Sequence, residues 1–306
     1  MNNRKLEITD KTLVVLESIY GEKIRKKIPQ LRELVKLIYA IGSDYIEITE
    51  ELYEELGPFS EDIKFKLSNN LIEIMGKHDV FENISKESLD INNNENVRFV
   101  GLDDLIFYDY EEIFSDIKKS FGCDIDMCIK NEYGSSIAMS LEWIRAGGKK
   151  IVTTFTGIGG YAPLESILGS IEFLEKLEIR GDYVLFPEVL QLFEEITESE
   201  IKSNMPFIGK DIFNVESGIH VNGIVKNPST YEPYDPSKIG RKRKIIIGKH
   251  SGISALKIKL KELDIEYKYC NLVSMLEEVR NISTEKRRGL MDQEIKEIYM
   301  KCSNLY

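Results

Sequence analysis

The sequence has few cysteines, few histidines and no long apolar run. Its 306 residues hold four cysteines: Cys123, Cys128, Cys270 and Cys302. They show neither CxxC spacing nor the density of a disulfide-stapled domain. No apolar run is long enough to span a membrane, and the start, MNNRKLEITD, lacks a signal-peptide core. A net charge of -11 and a pI near 5.1 argue against a general nucleic-acid binder. We therefore expect a protein of the reduced cytoplasm, with no membrane and no nucleic-acid partner.

Apolar runs of strand length alternate with helical patterns through the first part of the chain. Hydrophobic residues make up 42% of the sequence, which is enough for a large core. Strand character is found in six runs: residues 6–8, 45–48, 71–75, 97–102, 125–129 and 151–155. Such alternation predicts a parallel sheet. Because only about five or six βα units fit, against eight in a closed barrel, we predict an α/β fold with a shortened, degenerate TIM-barrel-like (β/α) domain.

A polar stretch separates this barrel-like part from a second region. An outer helix is predicted over residues 182–200, and ESEIKSNMPFIGK follows it as a boundary. Three helical patterns lie beyond residue 252: 253–263, 271–281 and 292–301. The sequence thus predicts two domains, the barrel-like residues 1–204 and a mostly helical C-terminal subdomain of residues 205–306.

Residues 213–252 concentrate residues with special backbone or acid–base properties. They include two of the three histidines, His220 and His250, together with five glycines and three prolines. Glycines flank His220, and prolines stiffen the stretch that carries Tyr231 and Tyr234. The segment is therefore predicted to form tight turns around one short strand.

The end of this segment is basic in an acidic protein. Residues 237–249 hold six Lys or Arg and no acid, and the turn GKHSG then leads into a helical pattern with Ser251 as its cap. A basic turn at a helix start can hold an anion. Lys249, His250 and Ser251 are therefore candidate anion-binding residues, and for His250 a purely structural role is an alternative.

The run ESGIHVNGIVKNPSTYEPYDPSKIG, followed by IIIGKHSG, resembles the C-terminal portion of homocitrate and isopropylmalate synthases. The resemblance is dense over residues 205–265 and weak before them. These enzymes condense acetyl-CoA with a 2-oxo acid held on a divalent metal and then hydrolyse the thioester. Within the family, the chain resembles the second subunit of split, two-chain homocitrate synthases of nitrogen-fixing bacteria. The resemblance implies acetyl-CoA as a substrate and the CoA moiety as the anion for the GKHSG turn.

In this chain the family's first barrel motif lacks its two functional residues. In intact synthases DTTLRDGEQ supplies an arginine that contacts the keto acid and an aspartate that binds the metal; the corresponding residues here read DKTLVVLES. Four positions match the family: Asp10, Thr12, Leu13 and Glu17. Val14 stands in place of the arginine and Val15 in place of the aspartate. Two apolar side chains cannot replace those functions.

The family's HxHND(x)G motif is altered at its metal ligands. Residues 127–134 read MCIKNEYG, which places Cys128 and Lys130 where two histidines on one strand face grip the metal. A lysine ammonium opposes metal binding and could itself occupy the vacated cation site. A residual site built from Cys128, Asp126 and Glu132 is the weaker alternative.

The third motif, TGIGGYAPLE at residues 156–165, resembles the family's GxGERxGNxxLE in shortened form. Gly157 and Gly159 match, Gly160 and Tyr161 replace the glutamate and the arginine, and the asparagine that helps bind metal has no counterpart. Taken alone, GIGG could suggest a phosphate loop, but its spacing favours a plain strand-to-helix turn. We expect no metal on this chain and a divalent metal on a catalytic alpha-type subunit with an intact metal barrel.

The C-terminal motifs, in contrast, keep the residues to which the family assigns a role. In the family, the histidine of ESGIH and the tyrosine of TYExxxP reach from the C-terminal subdomain into a partner's barrel. The resemblance implies that His220 and Tyr231 act in trans, the histidine in proton transfer or orientation at acetyl-CoA and the tyrosine as a hydrogen-bond donor or acid. Glu216 and Ser217 are implied to support their loop, whereas Asn222 departs from the usual aspartate.

Several alternatives stay open. Taken alone, His220 between apolar neighbours is more often a packed histidine, Tyr231 beside prolines is more often a loop anchor, and His78 suggests a surface position. The favoured function is a homocitrate synthase subunit serving nitrogenase cofactor biosynthesis. The alternatives are a noncatalytic scaffold or regulator, an isopropylmalate or citramalate synthase-type acyltransferase, and a stand-alone acyltransferase with a relocated metal site. The subunit stoichiometry and a homodimer of this chain are left open as well.

Overall fold

The chain forms two compact units. The computed structural model describes residues 6–82, 97–122, 124–216, 218–267 and 271–303. The first unit is Met1–Ile208 and the second is Gly209–Tyr306, against a predicted boundary after residue 204. Three residues singled out in the sequence lie outside the described ranges: Cys123, Ser217 and Cys270.

A parallel sheet forms the frame of the first unit. In the described ranges its strands are β1 (Glu7–Asp10), β2 (Tyr45–Ile48), β3 (Lys64–Leu67), β4 (Ile72–Gly76), β5 (Val97–Gly101), β6 (Asp126–Ile129) and β7 (Lys150–Thr153). Their order is β3-β2-β1-β7-β6-β5-β4, and each neighbouring pair is parallel. The first strand thus lies beside the seventh at the centre of the sheet, while β3 and β4, which are neighbours in the sequence, form its two edges.

Helices connect most of these strands. They are α1 (Thr12–Tyr20), α2 (Glu22–Arg25), α3 (Ile28–Ala40), α4 (Glu50–Leu56), α5 (His78–Glu82), α6 (Tyr110–Phe121), α7 (Ser136–Arg145), α8 (Leu164–Gly169) and α9 (Phe186–Thr197). Short 3-10 segments occur at Ser68–Asn70, Leu105–Phe107, Phe155–Gly157 and Tyr183–Leu185, and a π-helical turn at Ser170–Leu174. A break separates α2 from α3, and Pro29 lies in the first turn of α3, where proline is favoured.

The sheet is curled so that strands far apart in its order face each other. The Glu47 carboxylate on β2 lies 2.7 Å from the Arg98 guanidinium on β5, and the Lys66 ammonium on β3 lies 3.2 Å from the Asp126 carboxylate on β6. Such pairs form only if the strands surround a common interior. The intervening residues point outward and pack under the helices, with Trp143 of α7 among the largest buried side chains. The prediction of a shortened TIM-barrel-like α/β domain is confirmed.

The sequence prediction missed β3. This strand reads KFKL, and its Lys66 side chain points inward to the carboxylates of Glu7 and Asp126. A strand that alternates lysine with apolar residues looks like a solvent-facing segment. In the structure its backbone pairs in parallel with β2, and acidic partners on β1 and β6 accept the inward lysine.

The second unit is mostly helical, as predicted. Two short strands, β8 (Asn214–Val215) and β9 (Lys244–Ile245), pair in parallel. The helices are α10 (Gly218–Lys226), α11 (Ile253–Glu262), α12 (Leu272–Lys286) and α13 (Asp292–Ser303). Their apolar faces share one core, which includes Val221, Ile247, Leu256, Leu260, Met275, Val279 and Ile295. Across the described ranges of the chain, every helix is too short or too polar to cross a membrane.

Helix α10 corrects the prediction of tight turns around His220. Two glycines lie in it, Gly218 and Gly223, and each lowers helix propensity by about 1 kcal/mol relative to alanine. The helix nevertheless forms, because Val221 is buried in the core of the second unit, and Pro228 lies just beyond its end. Tertiary burial outweighs the local glycine signal.

Candidate functional site

His220 and Tyr231 lie side by side on the surface of the second unit. His220 projects from α10 and is exposed, and Tyr231 follows the 3-10 turn Pro228–Thr230 with 42% of its surface accessible. Their ring centroids are 4.7 Å apart, with the ring planes inclined at 45°. The two side chains thus present an imidazole and a phenol hydroxyl at one exposed place.

Gly223 makes this ring pair sterically feasible. It lies one helical turn after His220, and a Cβ atom placed on it would be 2.0 Å from Cε2 of Tyr231. Even alanine would therefore push the tyrosine ring away. The tyrosine segment is held in addition by Glu232, whose buried carboxylate accepts a hydrogen bond of 2.7 Å from Nε of Arg243.

Glu216 is tied to the GKHSG turn rather than to the histidine ring. Its Oε1 accepts a hydrogen bond of 3.3 Å from the backbone N–H of His250, and its carbonyl oxygen accepts one of 3.3 Å from the hydroxyl of Ser251. A carboxylate thus already lies against a backbone donor of the turn that was predicted to hold an anion. Glu216 supports the geometry of this turn.

Two other backbone donors of the GKHSG turn bond to serine hydroxyls within the second unit. The backbone N–H of Gly248 donates to Oγ of Ser251 at 3.0 Å, and that of Lys249 donates to Oγ of Ser283 at 3.2 Å. Ser251 is fully buried, whereas the Lys249 and His250 side chains are exposed. An anion or CoA site at Lys249, His250 and Ser251 therefore stays a prediction, and it would rely on the side chains of the first two.

In the first unit, the residues at the family's metal positions do not fit a divalent cation. Val15 is buried on α1 and packs on Gly159, where an added Cβ would lie 2.7 Å from the valine Cγ1. Cys128 is fully buried against Val100 and Val152, and burial raises the pKa of its thiol to about 11, so that it is protonated at neutral pH. Lys130 brings a positive charge.

Residues of the altered motifs that still match the family build turns instead. Gly134 adopts a left-handed conformation with φ of 71°, and the Asn131 side chain accepts a hydrogen bond of 3.1 Å from the backbone N–H of Ser136 at the start of α7. The GIGG segment is a turn between β7 and α8, as its spacing predicted. These residues therefore have structural roles in turns that do not depend on a metal.

The weaker alternative of a residual metal site finds no support in the placement of its residues. The Asp126 carboxylate is taken up by Arg98 at 3.1 Å and Lys66 at 3.2 Å, while Glu132 is exposed on a loop. Over the ranges that the structure describes, no three His, Cys, Asp or Glu side chains are grouped as metal ligands.

The sequence analysis assigned no acid–base role to two fully buried carboxyl groups near the end of β1, Asp10 and Glu165. Asp10 accepts hydrogen bonds of 2.9 Å from both the backbone N–H and the hydroxyl of Thr12, and burial raises its pKa to about 7. Glu165 on α8 accepts one of 2.9 Å from the N–H of Thr156 through Oε2, and its buried Oε1 has no hydrogen-bond partner among the described residues. Burial raises the pKa of Glu165 to about 8. Nothing in a local pattern reveals that a glutamate in APLES is buried.

Glu165 should make the chain less stable as the pH rises. Its pKa is about 4.3 in an unfolded chain and about 8 in the folded one, so between these values folding retains a proton that unfolding releases. Stability from this group therefore falls from about pH 5 to pH 8, by up to about 1.4 kcal/mol per pH unit. We expect Glu165→Gln to match the wild type near pH 5 and to exceed its free energy of unfolding at pH 8, in urea titrations. Glu188→Gln at an exposed position of α9 serves as control. If the free energy of unfolding changes equally with pH in the wild type and in Glu165→Gln, the expectation is wrong.

Both parts of the chain are similar to known proteins. Residues 207–287 match the family model described as homocitrate synthase post-HMGL domain-like. The chain is 37% identical to the homocitrate synthase, omega subunit, of Clostridium pasteurianum over 69% of this chain and 59% of that protein. It is 34% identical to homocitrate synthase AksA of Methanothermobacter thermautotrophicus, over 58% of this chain and 46% of that one. It is also 34% identical to 2-isopropylmalate synthase 2 of Caldanaerobacter subterraneus, over 61% and 50%.

The matched part covers between 46% and 59% of the length of these relatives. They comprise both homocitrate and isopropylmalate synthases, and the match to the post-HMGL domain model falls on the unit that carries His220 and Tyr231. The barrel topology of the first unit agrees with the resemblance of the altered barrel motifs. Both units of the chain thus resemble the homocitrate and isopropylmalate synthases, and the second unit matches their post-HMGL domain.

Proposed function

We propose that this chain is the accessory subunit of a two-chain homocitrate synthase, which forms homocitrate and CoA from acetyl-CoA, 2-oxoglutarate and water. Its role is to place His220 and Tyr231 in the active site of an alpha-type partner whose barrel carries the divalent metal. The product would serve nitrogenase cofactor biosynthesis. The observation that carries the proposal is the exposed His220–Tyr231 pair on a unit of homocitrate synthase type, in a chain whose own barrel has no fitting metal ligands.

The chemistry of the pair suits the first step of the condensation. An imidazole nitrogen can take a proton from the acetyl-CoA methyl group, and a phenol hydroxyl can donate a hydrogen bond to the thioester oxygen as negative charge develops there. The divalent metal of the partner would polarise the keto group. Because both rings are exposed and lie in contact, a partner could approach them without rearrangement of α10.

Two further observations support a partner chain. The relative from Clostridium pasteurianum is by name one subunit, an omega subunit, of homocitrate synthase. In the first unit, acidic and basic side chains inside the barrel are paired with each other, as in Arg98 with Glu47 and Asp126. This interior suits a scaffold, so a noncatalytic supporting role is the second candidate function.

Reconstitution tests the proposal. The chain is mixed with an alpha-type chain that keeps DTTLRDGEQ and both histidines of HxH, and CoA release is followed with acetyl-CoA and 2-oxoglutarate. We expect turnover from the mixture, a mixed complex in light scattering, and little turnover from this chain alone. Substituting 2-oxoisovalerate or pyruvate for 2-oxoglutarate tests the isopropylmalate and citramalate alternatives. Full turnover by the alpha-type chain alone would reject the proposal.

A further inference from the structure

We propose that Tyr161, whose ring lies close to the ammonium groups of Lys11 and Lys130, closes the carboxyl end of the barrel. The two ammonium groups and the ring take the place of a metal ion in holding this end of the barrel together. The five residues of this mouth cluster are Lys11, Val15, Cys128, Lys130 and Tyr161. The inference concerns the first unit alone and is independent of the trans role of His220.

Three parallel strands bring the cluster together. Lys11 follows β1, Lys130 follows β6 and Tyr161 follows β7, and the carboxyl ends of parallel strands meet at one end of a barrel. Tyr161 is tied to Lys130 by an antiparallel backbone bridge. The segment after β7 is thereby fixed beside the end of β6 by its main chain, which gives the tyrosine ring a defined place.

The ring of Tyr161 receives two cations. Nζ of Lys130 lies 3.8 Å from the ring centroid and Nζ of Lys11 lies 4.9 Å from it. Both distances are within the range of a cation–π interaction, which is stronger where the cation is desolvated. Lys130 also donates a hydrogen bond of 3.0 Å to the carbonyl oxygen of Gly159.

Acidic groups further inside balance the charge of the buried lysine. Nζ of Lys11 is 3.3 Å from a carboxylate oxygen of Glu73 and 4.0 Å from one of Glu47, and the lysine is almost fully buried. Carboxylates in the barrel interior that a metal ion could have compensated are thus compensated by side chains of the same chain. A divalent cation entering here would have to displace two ammonium groups.

The apolar floor of the cluster lies below the tyrosine. Cys128, Val100 and Val152 are buried, and Tyr161 packs on them. Cys128 is therefore a suitable reporter, because Tyr161 packs on it and loss of the ring would uncover the thiol to a reagent. Its raised pKa further slows reaction while it stays buried.

Alkylation of Cys128 in the full chain tests the closure. The protein is treated with iodoacetamide at pH 8 and labelling of the Cys128 peptide is followed by mass spectrometry. We expect slow labelling in the wild type and in Tyr161→Phe, and labelling faster by about tenfold or more in Tyr161→Ala, because a buried thiol becomes accessible. The control Tyr133→Ala, which removes an exposed ring on the loop after β6, should label like the wild type.

A second variant and a metal titration keep the test decisive. Lys130→Met removes one ammonium from a partly exposed position and should also speed labelling, even if Tyr161→Ala fails to fold. The thermal midpoint of the wild type should be unchanged by EDTA and by added Mn²⁺ or Co²⁺. Fast labelling of native wild type, unchanged labelling in folded Tyr161→Ala, or a rise of the midpoint with either metal would each overturn the inference.

Discussion

Replacing His220 by alanine is expected to lower kcat of the reconstituted synthase by about 10²-fold or more, the usual contribution of a general acid or base. The complex itself should form normally, because the side chain is exposed and alanine is a better helix former than histidine in α10. Tyr231→Phe keeps the ring against His220 and loses only the hydroxyl, so its effect on kcat should be smaller. CoA release and light scattering on the same samples separate chemistry from assembly.

The control for this experiment lies on the same helix. Lys226 is exposed at the end of α10, and Lys226→Ala should leave both turnover and assembly at wild-type values. A flattened pH–rate profile in His220→Ala would distinguish proton transfer from a structural role. If the alanine variant turns over normally in an intact complex, the proposal of catalysis in trans is wrong and the scaffold function becomes the better one.

Replacing Arg98 by methionine is expected to reduce the free energy of unfolding of the first unit by about 3–5 kcal/mol, the cost of breaking a buried ion pair by removal of one partner. The guanidinium is 0% exposed and lies 2.7 Å from Glu47, 3.2 Å from Glu73 and 3.1 Å from Asp126. Methionine fills part of the volume but leaves three inward carboxylates short of positive charge. Urea unfolding at neutral pH measures the loss.

An exposed arginine provides the matched control. Arg145 on α7 also pairs with two carboxylates, Glu142 and Glu175, but its side chain is 53% exposed. Because solvent screens such pairs, Arg145→Met should cost about 0–1 kcal/mol. Equal losses for the two variants would mean that the ion pairs inside the barrel contribute no more than surface pairs do.

The sequence located most strands but could not tell which of their side chains face inward. Apolar runs marked β1, β2 and β4 to β7. Most of these strands bury apolar side chains, whereas the edge strand β4 leaves Ile72 and Met75 exposed. The inner face is charged, with Glu47, Lys66 and Arg98 among its residues. In a local pattern such residues look solvated, and it is the curling of the sheet that brings opposite charges within contact. For the same reason β3 was missed altogether.

At the candidate site, too, the sequence located the residues but not their structural surroundings. Motif similarity singled out His220 and Tyr231, and the glycines and prolines around them predicted turns. The structure places His220 on a helix in contact with the tyrosine ring. The GKHSG turn was chosen for its charge, yet its backbone donors are used by Glu216 and serine hydroxyls. Two of these three donors, the N–H groups of Lys249 and His250, bond to residues 34 positions away, which no local pattern contains.

The sequence by itself determined that the family's metal motifs are altered, since Val15, Cys128 and Lys130 stand at the positions of the family's ligands. It also carried the resemblance to the synthase family and the alternation of strands and helices, which follow from local residue types. Only the tertiary structure decided which side chains lie together at these positions. Lys11, Lys130 and Tyr161 come from the ends of three strands and meet through strand order. The physical reason is that side-chain identity is a local property, whereas burial and charge pairing arise when distant segments enclose a common interior.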